Sequence, residues 1–365
     1  MKVLLIAPIA GNGGIRSWAN RFEKAFPEKY PNVSVVRISG TDRRVTNPDV
    51  GKIRGALNGI LDLVEVCKTV RRLFKSGEFD ILHATTSGRN GSLRDFLLGR
   101  IARRYKVKSI MHCRYGCIPQ VYPTNSFEGY MTRKAMDTMD NVWVLDSPAF
   151  KFLNTKPSLK EKIRLTPNSI RVGVLKEISP KHYKSVGFVG NVIVTKGVYE
   201  LTQAVISTPE TTLDFIGPIE DVVLTRIKEI AGVEYGSRVK VHGKLPNDEA
   251  VKIMERFDIV SLPTYFPGEA FPISILEAMS KGKLVISCPR AAIPDMLTAT
   301  DGSRCGLLVS EKSASEISDA IRWAQMNTED ADAMCKKAYQ KVHDCYREEV
   351  VYALYMQLYD ELIKA

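Results

Sequence analysis

Short apolar runs alternate along this chain with longer stretches in which apolar positions return every three or four residues. The run at 3–8 predicts a buried strand, followed by the turn Gly11-Asn-Gly-Gly14 and a helix over about 17–26. A second strand is predicted at 33–38, ending at Ser39-Gly40. A long helical pattern then fills 53–74, with Ile60, Leu61, Val64 and Val70 on its apolar face. Residues 79–84 and 109–112 read as strands that carry His83 and His112 at their ends. Between them, 88–108 reads as a helix with Phe96, Leu97, Leu98 and Ile101 set among basic residues. Strands at 141–146 and 163–168 complete a first series. The pattern then restarts with a strand at 185–190, a loop at 191–197 and a helix at 198–206. Strands at 212–217 and 239–243, a helix at 246–257 and a strand at 258–263 follow. Strands alternating with helices predict α/β architecture with parallel sheets.

The stretch 265–297 is the most informative. Glu269 and Glu277 stand eight positions apart, one in a loop and one inside a helix. Ser274 is suited to cap that helix, with Glu277 three residues on as its capping-box partner, and Gly282 to stop it. A loop leading into a helix N-terminus favours anions, because unpaired backbone N–H groups point outward there. The short apolar run 284–287 predicts another buried strand, and 314–324 and 330–363 read as helices.

A length of 365 residues suggests about two domains. No run approaches the ~18 apolar residues of a membrane span, and the apolar start meets Gly11 too early for a signal peptide. Seven cysteines without disulfide spacing suggest a reducing, cytoplasmic setting. His112, Cys113 and Cys117 lie close together, but no second cysteine pair completes a tetrahedral metal set. Residues 1–165 hold 29 Lys and Arg against 14 Asp and Glu, a net +15, whereas 166–365 hold 23 against 27, a net −4. Such asymmetry points to an anionic partner for the first half. Arg94, Arg100, Arg103 and Arg104 on the 88–108 helix are candidates to face an anionic membrane or acceptor, the rival being an ordinary outer helix of a βα fold. No nucleic-acid recognition motif accompanies the basic half, and no stacking aromatics interleave with the 89–108 run, so nucleic acid is not an expected partner.

The opening strand, glycine turn and helix resemble a nucleotide-binding βαβ unit, but strand 33–38 lacks the terminal acid that would hold an NAD ribose. The loop 191–197 sets Lys196 before a helix N-terminus, an arrangement that suits a diphosphate.

Glu269-Ala-Phe-Pro, Glu277-Ala-Met, Gly282 and Ile293-Pro294-Asp295 resemble the signature of retaining glycosyltransferases of family 4 (glycosyl transferases group 1). Lys196-Gly197, Gly13-Gly14 and the Pro167-Asn168-Ser169 turn are similar to further parts of the pattern. The resemblance implies a GT-B fold: two Rossmann-like βαβ domains facing across a cleft, with a C-terminal helix crossing back to the first. The boundary falls near 165–180. The acceptor-binding domain is then 1–170, joined by about 345–365, and the nucleotide-sugar-binding domain 171–345.

The resemblance further implies metal-free, cofactor-free transfer of a hexose, with retention, from a nucleotide-diphosphate sugar to an acceptor hydroxyl. The donor would be UDP- or GDP-linked. The acceptor would be a lipid-linked or surface-polysaccharide saccharide, reached from the cytoplasm or the inner membrane face. Glu269, His112 and Lys196 are the catalytic candidates. Gly13, Gly14, Gly190, Asn191, Lys196, Phe271, Pro272, Ile273 and Glu277 are the donor-binding candidates. His83 competes with His112 as the histidine that faces the donor sugar. Two positions depart from the pattern: Asn191 stands where Arg is expected and Pro272 where Gly is expected. They support the rival reading, a non-catalytic GT-B-like protein that binds a nucleotide or a partner.

Overall fold

A computed structural model describes residues 1–10, 13–40, 52–89, 91–173 and 182–365, the side chains of 52, 53, 247, 248 and 251 excepted. Gly11 and Asn12 of the opening turn therefore lie outside the described residues. The chain divides into two units, Met1–Asn168 with Tyr352–Ala365, and Ser169–Val351.

The first unit is a six-stranded parallel sheet of β1 (Lys2–Ile6), β2 (Ser34–Ile38), β3 (Ile81–Thr86), β4 (Lys108–Cys113), β5 (Asn141–Val144) and β6 (Ile163–Leu165), in the order β2-β1-β3-β4-β5-β6. β1 and β3 pair from Val3↔Ile81 to Ile6↔Ala84. β3 and β4 pair along their whole length, from Ile81↔Lys108 to Thr86↔Cys113. β3 is buried at all six positions, and β4 at five of six. Helices cover both faces of a parallel sheet, so even the polar residues His83, Thr85, Thr86, Ser109 and His112 of these strands are buried.

The second unit repeats the plan with β7 (Ser185–Val189), β8 (Thr212–Ile216), β9 (Val239–Val241), β10 (Ile259–Leu262), β11 (Leu284–Ser287) and β12 (Leu307–Leu308), ordered β12-β11-β10-β7-β8-β9. β12 has only two residues, too few to give a pattern. The sheet turns at β7, which pairs with β8 on one side and β10 on the other.

Three local expectations need correction. The helix at Ile273–Ser280 starts after Pro272, in extended conformation, and has no side-chain cap, so Ser274 sits inside the first turn and does not cap it. The helix expected over 330–363 is two, Thr328–Cys345 and Glu348–Lys364. Ile170 donates to the Tyr346 carbonyl at 3.1 Å and accepts from the Glu348 amide at 3.0 Å, which interrupts the helical ladder there. The third concerns the basic helix, Gly91–Arg104. Arg94 is turned inward and donates to the Thr85 carbonyl at 2.6 Å and to buried Asp95 at 2.7 Å, so it is not a surface contact. Leu98, Gly99, Ile101 and Ala102 are buried, and a Cβ on Gly99 would lie 2.9 Å from Thr138 on helix Phe127–Thr138. Arg100, Arg103 and Arg104 remain exposed, but the apolar side of this helix is used up in packing.

A polar chain runs through the core of the first unit. Tyr359 Oη lies 2.5 Å from His83 Nδ1, His83 Nε2 lies 3.0 Å from His112 Nδ1, and His112 Nε2 lies 3.2 Å from Arg114 Nη1. Arg114 also donates to Asn168 Oδ1 and sits 4.1 Å above the Trp18 ring. Arginine can only donate, so His112 Nε2 accepts and its Nδ1 carries the hydrogen. His83 Nε2 then accepts, and its Nδ1–H donates to Tyr359. One cation thus fixes both tautomers. His83 is held down to about 3 and His112 well below the ordinary imidazole range, first by burial and then by the Arg114 charge.

Tyr359→Phe leaves the His83 Nδ1–H buried without an acceptor and should cost about 1–3 kcal/mol in urea unfolding. The pH dependence follows from the same pair. Unfolded, both imidazoles titrate near 6.5; folded, they stay neutral. Between about pH 6.5 and pH 3 the unfolded chain binds more protons, so stability present above that window is lost as pH falls through it. Proton uptake measured calorimetrically on unfolding near pH 5 should include close to two protons from this pair.

Candidate functional site at the ends of β7 and β10

In open parallel sheets, ligands bind outside the carboxyl ends of strands where the strand order reverses. In the second unit that point lies between β7 and β10. After β7 the chain passes Gly190 (φ +147°), makes one 3₁₀ turn at Val194–Lys196, bends at Gly197 (φ +73°) and enters helix Val198–Ile206. After β10 it runs through 263–272 into helix Ile273–Ser280.

The two loops are locked together. The Tyr265 amide donates to the Thr195 carbonyl at 2.9 Å. A Cβ on Gly197 would lie 2.3 Å from the Pro263 carbonyl oxygen, and one on Gly217 would lie 1.8 Å from the Gly190 oxygen. No side chain fits at either place.

This packing joins Lys196 to Glu269. Their Nζ and Oε2 are 3.3 Å apart, with 17% and 11% of the side chains exposed. Thr264 Oγ1 donates to the same Glu269 oxygen at 3.4 Å and accepts from the Phe266 amide at 3.2 Å. Sequence reasoning passed over Thr264, although its place just past the carboxyl end of a buried strand was a usable signal. A Cβ on Gly190 would come 3.8 Å from Lys196 Nζ, so that glycine borders the same spot. Asn191 is exposed, and Glu277 is half-buried in the second turn of its helix. Pro272 is buried, and the Phe271 ring packs edge-on against Tyr346 with centroids 5.2 Å apart, so that ring supports the loop from behind. The amides of Ile273, Ser274 and Ile275 precede the first intrahelical bond, from Leu276 to Pro272.

The first-unit candidates fare differently. Gly13 and Gly14 are exposed at the uncapped start of helix Gly14–Lys29. His112 is not at the strand end: it pairs with Thr85, is followed by Cys113 and has no exposed surface. It and His83 are both buried and joined to each other. Arg114 is the residue that leaves the strand. Its partner Tyr355, like the Tyr359 that bonds His83, comes from the last helix, too far along the chain for any motif to connect them. Among the described residues no group of three or more His, Cys, Asp or Glu side chains is placed to hold a metal ion. Cys113 is fully buried, and burial, with Asp95 and Asp146, pushes its thiol pKa up.

Comparison with solved structures defines the fold as GT-B. The chain superposes over its full length on sucrose-phosphate synthase from Thermosynechococcus elongatus (TM-score 0.75, 16% identity, 100% of this chain and 99% of the other). It also matches HepE from Anabaena in complex with UDP (TM-score 0.72, 15% identity, 99% and 100%). Residues 175–341, nearly all of the second unit, match the family described as Glycosyl transferases group 1. A Campylobacter jejuni relative, N,N'-diacetylbacillosaminyl-diphospho-undecaprenol alpha-1,3-N-acetylgalactosaminyltransferase, is 30% identical over 137 residues, 37% of this chain and 34% of its own. The chain thus spans about a third of the length of the curated relatives it matches.

Gly197→Ala forces a Cβ onto a positive-φ position and against a backbone oxygen. It should lower stability by about 2 kcal/mol or more. Gly14→Ala, with nothing within 4 Å of the added carbon, should stay within about 0.5 kcal/mol of the parent. Thermal unfolding of the two variants separates these outcomes.

Proposed function

We propose that this chain is a glycosyltransferase that moves a hexose from a nucleotide-diphosphate sugar to an acceptor hydroxyl, with retention at the anomeric carbon and without a metal ion. The carrying observation is the Lys196–Glu269 pair, held at the sheet's reversal point between two helix N-termini. In this reading the Lys196 ammonium and the main-chain N–H groups at the start of helix Val198–Ile206 receive the diphosphate as negative charge grows on it. Glu269 exchanges its ion pair for hydroxyls of the donor sugar and opposes the positive charge that develops on the ring. Thr264 holds that carboxylate in place. Glu277 accepts from the ribose hydroxyls, as a carboxylate can. Gly13 and Gly14 offer main-chain N–H groups to a phosphate at an uncapped helix start.

The family match over 175–341 and the relatives' names support a transferase; UDP in the HepE complex supports a UDP-linked donor, with GDP the alternative. The named C. jejuni relative carries a lipid diphosphate in its acceptor name, which supports a lipid-linked saccharide as acceptor here. In this reading the enzyme works at the cytoplasmic face of a membrane. No helix among the described residues is long and apolar enough to cross one. A second reading, a non-catalytic binding protein, draws on Asn191, which leaves Lys196 without the expected second cation, and on Pro272, which has no N–H to offer.

Thermal shifts with UDP, GDP, ADP and CMP, each with and without EDTA, test the donor assignment. The matching nucleoside diphosphate should stabilise the fold by roughly 2.7 kcal/mol at about 100 times its dissociation constant, unchanged by EDTA. Lys196→Ala should lose about a hundredfold or more in transfer rate with little change in stability. Nucleotide binding without transfer to any lipid-linked saccharide would favour the second reading.

A further inference from the structure

Helix Lys52–Phe74 reads as an ordinary amphipathic helix, and half of that is true. Val66, Cys67, Val70 and Phe74 are buried in the core of the first unit. Leu57, Ile60, Leu61 and Val64 are instead 55%, 58%, 52% and 45% exposed. Their spacing of i, i+3, i+4 and i+7 sets them on one face. Lys68, Arg71, Arg72 and Lys75 continue the same outward face, and all four are exposed. This face is therefore divided along the helix axis, apolar in its first half and basic in its second. Arg54 adds a cation at the apolar end, and Glu65 is the exposed acid at its margin.

We infer that this face docks the protein on an anionic lipid surface. Four neighbouring large apolar side chains in water are a standing cost that single exposed residues are not. The bordering cations select the occupant. A second copy of this chain, packed antiparallel on this face, would press its basic half onto the partner's apolar half; packed parallel, it would set cation against cation. An anionic bilayer satisfies both halves: the apolar side chains enter the headgroup–acyl boundary, and the cations meet lipid phosphates. Lysine and arginine stems also lie along apolar surface while their charged ends reach out. The Gly91–Arg104 helix cannot serve in this way, because its apolar side is buried and Arg94 points inward. The inference deepens the proposed function by assigning its membrane contact, and its test does not depend on sugar transfer.

The test is flotation of the full chain with phosphatidylcholine vesicles, with and without phosphatidylglycerol, across a salt series. The chain should bind the anionic vesicles, less so as salt rises. Joint replacement Leu57→Ser, Ile60→Ser, Leu61→Ser and Val64→Ser should weaken binding about tenfold or more. Lys68→Glu, Arg71→Glu and Arg72→Glu should do the same, at roughly fivefold per cation lost. Arg100→Ala with Arg104→Ala should change it about twofold at most. Nucleotide thermal shifts of each variant report that the fold and the donor site are intact. An Ile60→Trp variant should be quenched by brominated lipid. The inference is overturned if the wild-type chain ignores anionic vesicles, if the apolar variant binds as the parent does, or if Trp at position 60 stays unquenched. It is also overturned if light scattering shows a dimer that the apolar variant dissociates.

Discussion

A parallel sheet covered on both faces leaves polar chemistry two places: fully paired inside, or out at the carboxyl ends of the strands. Both units obey this. In the first, the side chains of β3 and β4 that cannot avoid being polar, His83 and His112, are buried and satisfied end to end between Tyr359 and Arg114. In the second, the polar groups lie beyond β7 and β10, where Lys196, Thr264 and Glu269 meet. The same constraint makes one histidine pair structural and one lysine–glutamate pair available.

Availability at the second site rests on the absence of side chains. Gly197 lets the β7 loop lie against Pro263, and Gly217 lets the neighbouring loop lie against Gly190. With those contacts closed, Lys196 Nζ has little choice but to meet Glu269 Oε2. Two half-buried charges then neutralise each other until something else offers each a better partner. Their low exposure makes each charge interact more strongly with its partner, and with any charged ligand group that reaches it, than at a surface bridge.

Much of the fold was legible because the helix and strand periods are strong and uninterrupted. The strands at 33–38, 185–190 and 258–263 fall within a residue or so of β2, β7 and β10. What failed did so for tertiary reasons. The pattern over 330–363 is helical throughout, yet Ile170 claims the amide and carbonyl on either side of Arg347. β12 is held by pairing alone, Ile286↔Leu307 and Ser287↔Leu308. Arg94 looks like its basic neighbours in sequence, but Asp95 and the Thr85 carbonyl draw it inside.

By itself the sequence determined the two-fold α/β repeat, the placing of one lysine before one helix and one glutamate before another, and the basic character of the first half. Those properties reside in local periods, local turns and counted charges. Tertiary structure alone decided that both histidines are buried together, that Arg94 is not surface, that Lys196 meets Glu269, and which apolar face of which helix is left uncovered. Leu57, Ile60, Leu61 and Val64 carry the same periodic signal as Val66, Val70 and Phe74. Periodicity reports that a helix has an apolar face; only the neighbours that pack against it determine whether that face is spent.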